Sequence, residues 1–165
     1  MGFFREFSTA AILVTLTVCA QCGGMAALID WGIAHVVPDK HRLGPIRSAE
    51  LIVRVKGVMI AVHVSQILLW AAFYRWECFH SWESAFYFSI ASYSTVGYGD
   101  LILPHAWRDL GPVESVVGVL MCGLSASFLF AIVTRLVDRE MRPAPERRRP
   151  GEERTSEPEL TKVQR

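Results

Sequence analysis

Charge is missing from three long stretches of this 165-residue sequence, although a fifth of its residues are Asp, Glu, Lys or Arg. The three charge-free stretches are residues 8–29, 57–74 and 115–134. Each is close to the ~20 apolar residues that an α-helix needs to cross the hydrocarbon core of a bilayer. Such blocks exclude a soluble core built from amphipathic elements, and they indicate a membrane protein with three spans.

The sequence also lacks the patterns that mark most catalytic and cofactor sites. It contains no phosphate-binding glycine loop, no arrangement typical of a catalytic triad and no cluster of metal ligands. Cys19 and Cys22 have the spacing of a metal site, but no second pair accompanies them, so we interpret them as small residues of a helix interface. We therefore predict that the chain is not an enzyme, needs no cofactor and binds no nucleic acid.

One short stretch carries most of the functional information. Residues 94–100 read Ser-Thr-Val-Gly-Tyr-Gly-Asp and lie between an apolar run of helix length at 82–93 and the uncharged run 115–134. Over residues 57–139 this arrangement resembles the pore unit of potassium channels, in which a pore helix, a selectivity filter and an inner helix follow one another. The resemblance implies an all-α membrane protein with three transmembrane helices, a re-entrant pore helix and a filter, assembled from four chains around one pore.

The filter residues have types that suit ion dehydration. K⁺ leaves water only where oxygen atoms replace its hydration shell, and rings of backbone carbonyls supply such atoms. Successive carbonyls point the same way when positive and ordinary φ alternate, and Gly97 and Gly99 have no Cβ to oppose a positive φ. The resemblance implies carbonyl ligands for K⁺ at Thr95, Val96, Gly97 and Tyr98, with the Thr95 hydroxyl below them. Asp100 at the outer mouth is expected to concentrate cations.

Residues of the pore helix are expected to support the filter. Ser81 is a candidate N-cap and Glu83 lies in the first turn, where negative charge suits the helix dipole. The expected supporting residues are Tyr87, Phe88, Ala91 and Ser94. Tyr87 and Phe88 are predicted to brace the Tyr98 ring. Ala91 stands where several bacterial members of the resembled family carry an acidic residue, so Asp100 is expected to lack a carboxyl partner.

The distribution of basic residues predicts the topology. We expect a first, uncleaved transmembrane helix at 1–37, a cytoplasmic loop at 38–56, the pore domain at 57–139 and a disordered tail at 140–165. Lys and Arg collect in the loop and in the tail, and such residues favour the cytoplasmic side. The prediction is a multi-pass protein of the cell membrane whose N-terminus is outside and whose C-terminus is cytoplasmic.

Several side chains within the spans leave alternatives open. His63 and Gln66 interrupt the second span, and His63 is interpreted either as a proton sensor or, as we favour, as a neutral group bonded to a neighbouring helix. Trp70, Tyr74 and Trp76 are expected to form an aromatic belt at the membrane interface.

Gating is not indicated by the sequence. Gly123 in the inner helix is interpreted either as a hinge at the gate or as a residue that permits tight packing. No span carries Lys or Arg at every third position, which argues against a voltage sensor. Lipid, tension, pH and the filter itself are alternative stimuli. Cys78, in an outer loop, is interpreted as a free thiol or as a bridge to a second subunit.

These observations predict a homotetramer that conducts K⁺ passively through the lipid bilayer. A weakly selective cation channel is one alternative. The other is a non-conducting membrane subunit of a larger transport complex.

Overall fold

The computed structural model describes residues 2–36 and 45–141, and all regular structure in these residues is helical. Helix α1 is Gly2–Val36, α2 is Pro45–Glu77, α3 is Trp82–Tyr93 and α4 is Leu110–Met141, with a 3₁₀ turn at His105–Trp107 before α4. Three segments within this structure are long and apolar enough to cross a membrane, namely Phe4–Trp31, Ile46–Glu77 and His105–Asp138. The prediction of an all-α protein with three membrane-spanning helices is therefore confirmed.

Helix α2 begins earlier than the sequence suggests. Residues 45–56, part of the predicted loop, form the first turns of α2, and Pro45 occupies the first helical position, where its missing N–H costs no hydrogen bond. The helix is stabilised here because Val55 and Met59 pack against Leu28 of α1. The remaining loop residues and the predicted tail beyond Met141 lie outside the described residues.

The largest buried side chains lie where α2 meets the pore helix α3 and the start of α4. Trp70, Tyr74 and Leu110 are fully buried there. The predicted aromatic belt is therefore wrong for Trp70 and Tyr74, although Trp76 is exposed. The two buried rings have polar atoms that find partners inside the bundle, since Trp70 Nε1 donates to Thr17 Oγ1 at 3.0 Å and the Tyr74 hydroxyl also donates internally.

The N-terminal end of α1 lies beside the segment that precedes α4. The Arg5 guanidinium sits 4.6 Å from the centroid of the Trp107 ring, a cation–π contact. The Asp109 N–H donates to Glu6 Oε1 at 2.9 Å. Because α4 starts at this end and runs away from it as one continuous helix, the first and last described residues lie at opposite ends of the bundle.

Candidate functional site

The pore helix α3 begins and ends where the sequence predicts, and a capping residue lies at each terminus. At the N-terminus, Ser81 has extended backbone angles (φ −123°, ψ 147°), and its Oγ accepts the Ser84 N–H at 3.1 Å. Glu83 lies in the first turn. At the C-terminus, Ser94 is the C-cap, and its Oγ donates to the Ile90 carbonyl at 2.6 Å. The glycine-containing segment therefore begins directly at the C-terminus of the helix.

The backbone of that segment alternates between positive and ordinary φ. Thr95, Gly97 and Gly99 have φ values of 63°, 51° and 78°, and Val96 and Tyr98 between them are not in the positive region. The positive φ at both glycines matches the sequence prediction, whereas the one at Thr95 was not predicted. For a β-branched residue this conformation is strained by about 1–3 kcal/mol, and strain of this size is typical of functional sites.

The segment is attached to the end of the pore helix through backbone carbonyl oxygens. The amides of Val96 and Gly97 both donate to the carbonyl of Ala91, at 3.0 and 3.1 Å, and the Thr95 amide donates to Ser92 at 2.9 Å. Ala91 thus contacts the filter with its backbone. This contact does not require an acidic side chain at that position.

Asp100 finds its partner in Tyr87. The Tyr87 hydroxyl donates to Asp100 Oδ2 at 2.9 Å, and Asp100 Oδ1 accepts the Leu101 N–H at 3.1 Å. The hydrogen bond to the carboxylate raises the pKa of Tyr87 above its ordinary value. Although the carboxyl group expected from the resembled family is missing, both oxygens of Asp100 are satisfied.

Phe88 is placed differently from Tyr87. Its ring makes an edge-to-face contact with Tyr74, with 5.0 Å between centroids, and it also packs on Phe79. The Tyr98 ring, in contrast, is 74% exposed. Phe88 therefore packs behind the pore helix, and the bracing of the Tyr98 ring stays a prediction.

A buried carboxyl group connects the pore helix to both neighbouring helices. Glu114 of α4 is fully buried, with Oε2 2.9 Å from the Tyr74 hydroxyl of α2 and Oε1 2.6 Å from Ser89 Oγ of α3. Ser89 Oγ also donates to the Ile67 carbonyl at 2.9 Å. The predicted site residues did not include Glu114. The signal that could have found it is an acidic residue inside a span that is otherwise apolar.

The first half of α4 also holds the end of the pore helix. Ser115 Oγ donates to the Ser92 carbonyl at 2.7 Å. Gly118 lies so close to Tyr93 that a Cβ at this position would collide with the Tyr93 backbone, which only glycine avoids. Among the described residues, Gly123 has no such neighbour. Within the chain, the close contact of α4 with the pore helix is therefore made at Gly118. The hinge role of Gly123 stays a prediction.

His63 is bonded to two neighbouring helices. Its Nδ1 lies 2.8 Å from the Tyr93 hydroxyl of α3, and its Nε2 lies 2.9 Å from Ser125 Oγ of α4. The favoured interpretation of His63 as a hydrogen-bonded group between helices is thus confirmed. The sequence did not indicate Tyr93 and Ser125 as its partners.

Comparison with known families adds one finding. Residues 59–135 match the family described as ion channel. The match covers most of α2, the pore helix, the segment after it and most of α4, and it leaves out α1. No curated protein and no solved structure matched the chain.

Proposed function

We propose, from the match of residues 59–135 to an ion-channel family, that the chain forms a homotetramer that conducts K⁺ selectively and passively across the cell membrane. The observation that carries the proposal is the alternation of positive φ at Thr95, Gly97 and Gly99. Such alternation supports an arrangement in which the carbonyls of residues 95–98 face one side and replace the water around a dehydrated K⁺.

The geometry of one chain supports the proposal of assembly from four chains. A single chain supplies one strip of carbonyls, and an ion surrounded by oxygens needs such strips on all sides, which a closed rotational symmetry provides. Two side chains of the strip are also exposed in a single chain, since Val96 is 53% and Tyr98 74% exposed. Neighbouring copies would cover both.

The orientation in the membrane is proposed from the two ends of the bundle. Asp100 and the N-terminal end of α1 belong to the end at which α4 begins, whereas Arg47, Arg54 and Lys56 lie at the start of α2, toward the opposite end. Basic residues favour the cytoplasmic side. We therefore assign the mouth at Asp100 and the N-terminus to the outside, and the end of α4 to the cytoplasm.

The test uses purified full-length protein in liposomes. We expect a tetramer by native mass spectrometry and a bi-ionic reversal potential that favours K⁺ over Na⁺. Gly97→Ala should abolish the flux because alanine opposes the positive φ at this position. The matched control is Gly23→Ala, at a helical glycine of α1 with no neighbour within 4 Å of the added Cβ.

Three results would contradict the proposal. Equal permeability to Na⁺ and K⁺ would identify a weakly selective cation channel. Assembly only with a different subunit, without flux, would identify a non-conducting component of a transport complex. Flux that survives Gly97→Ala would show that the ions take another route.

A further inference from the structure

Five polar side chains from four helices meet inside the bundle. They are Gln21 of α1, His63 and Gln66 of α2, Tyr93 of α3 and Ser125 of α4. Gln21, Gln66, Tyr93 and Ser125 are buried, and His63 is half-buried. Within a membrane, polar groups at this depth need partners inside the protein, because lipid supplies none. These five side chains are each other's partners.

The bonds run from each group to the next and return to the start. Gln21 Nε2 lies 2.8 Å from Ser125 Oγ, and Ser125 Oγ lies 2.9 Å from His63 Nε2. His63 Nδ1 lies 2.8 Å from the Tyr93 hydroxyl, which in turn bonds Gln66 Oε1. Gln66 Nε2 closes the path by donating to Gln21 Oε1 at 2.9 Å. The group is called the polar ring below.

With His63 neutral and the two glutamine amides oriented as in the structure, donor chemistry gives every bond of the ring one direction. An amide oxygen only accepts, so the Tyr93 hydroxyl must donate to Gln66, and His63 Nδ1 must therefore donate to Tyr93. A neutral imidazole has one N–H, which leaves Nε2 to accept from the Ser125 hydroxyl. Ser125 then accepts from the Gln21 amide. The polar ring therefore closes with His63 neutral and protonated on Nδ1.

The polar ring connects two places that matter for conduction. Tyr93 is the last residue of the pore helix, two positions before Thr95, and Ser125 lies two positions beyond Gly123 on α4. On the other side of Gly123, Gly118 packs on the Tyr93 backbone. The end of the pore helix is thus attached to α4 both before and after Gly123. A bend of α4 at Gly123 would move Ser125 relative to Tyr93 and break the polar ring.

We propose that the polar ring couples the inner helix beyond Gly123 to the selectivity filter, with Gln21, His63 and Ser125 as positioning residues. The proposal rests on the proposed function as a channel. It also assigns a role to α1, the helix that the family match leaves out, because Gln21 both donates to Ser125 and accepts from Gln66. Helix α1, although far from the filter in the sequence, thereby helps to position the filter.

The flux test compares variants that open the ring at different helices. Gln21→Leu and Ser125→Ala each remove one group, whereas Ser125→Thr keeps the hydroxyl. The controls are Thr15→Val on α1 and Thr134→Val on α4, whose hydroxyls bond, among the described residues, to carbonyls of their own helix. We expect K⁺ flux in liposomes to change about threefold or more in both ring variants, in the same direction, as suits loss of an interhelical hydrogen bond in a membrane. Ser125→Thr and the controls should match wild type.

The double variant distinguishes coupling from general damage. If Gln21 and Ser125 act through one ring, Gln21→Leu with Ser125→Ala should change the flux no more than the stronger single variant does. Flux equal to wild type in both single variants, or effects that multiply in the double variant, would overturn the coupling while wild-type conduction stands. A wild-type protein without any flux would instead overturn the proposed function, and the coupling with it.

The ring itself has a readout that needs no flux. In ¹⁵N NMR of labelled protein in bilayers at neutral pH, His63 should show a protonated Nδ1 and an unprotonated Nε2. Tyr93→Phe removes the acceptor of the Nδ1 proton and should change this signature. A proton on Nε2 in wild type would overturn the ring as the structure arranges it.

Discussion

The filter segment and the interior behind it are held in place in different ways. In residues 94–100 the bonds join near neighbours, as when the amides of Val96 and Gly97 donate to Ala91. Behind the filter the bonds join residues far apart in the chain, such as Gln21 and Ser125, which are 104 positions apart. A change in the filter should therefore alter conduction and leave the helices packed. A change behind it should alter packing as well.

The strongest test of this difference is Gly118→Ala. The added Cβ would collide with the backbone of Tyr93, which cannot move as the end of a flexible side chain can. Overpacking of this kind typically costs about 1–3 kcal/mol, and here it would displace the pore helix. We expect loss of assembled protein by size-exclusion chromatography and native mass spectrometry.

Gly123→Ala on the same helix is the matched control for assembly. Its Cβ meets no atom of the described part of the chain within 4 Å, and alanine favours the helix over glycine by about 0.5–1 kcal/mol. The variant should assemble as well as wild type. Equal assembly of Gly118→Ala and Gly123→Ala would contradict the view that contacts behind the filter set the packing.

Glu114 gives the next largest effect. Glu114→Ala leaves the Tyr74 hydroxyl buried without its partner and removes the bond to Ser89, so it should destabilise the fold by about 1–3 kcal/mol. Glu114→Gln keeps two polar atoms at the same places and should be tolerated better. Thermal unfolding in detergent measures both. A Gln variant as unstable as the Ala variant would contradict the view that these hydrogen bonds hold the three helices together.

The two regions also differ in what the sequence reveals. The pore helix at 82–93 and the positive φ at Gly97 and Gly99 follow from capping and glycine patterns within a few residues, so they are readable locally. The partners of Glu114 and His63 depend on which helix faces meet, and no local pattern specifies that. The burial of Trp70 and Tyr74 was not predictable from the sequence for the same reason. An aromatic residue near the end of a transmembrane helix suggests a position at the membrane interface unless the residues that pack around it are known.

A smaller effect is expected at Tyr87, on the filter side of the comparison. Tyr87→Phe removes the bond to Asp100 but leaves the ring in place, so the tetramer should persist while K⁺ flux or its selectivity changes about twofold to tenfold, as for loss of one exposed hydrogen bond of ordinary strength. The control is Phe86→Tyr, which adds a hydroxyl to the neighbouring residue of the same helix and leaves this bond intact. An unchanged bi-ionic potential and flux in Tyr87→Phe would show that the mouth does not depend on the bond.

The same bond predicts a pH dependence. Since the hydrogen bond to Asp100 raises the pKa of Tyr87, its stabilising contribution is fully present below the ordinary tyrosine pKa, about 10, and is lost as the pH rises through the higher folded value. Ultraviolet titration of tyrosinate should therefore show one residue whose midpoint falls in Asp100→Asn. An identical titration in that variant would contradict the bond.

The smallest expected effect concerns the access of water to the region behind the filter. Cys78 packs at the edge of the core formed by Trp70 and Tyr74, and burial, helped by the nearby Glu77 carboxylate, raises the pKa of its thiol to about 11. The reactive thiolate is then scarce at neutral pH, so maleimide labelling should accelerate about tenfold per pH unit and level off near pH 11. Cys78→Ser supplies the background from the other cysteines. A plateau near pH 9 would mean that water reaches this thiol. It would also favour the interpretation of Cys78 as a reactive group able to bridge two subunits.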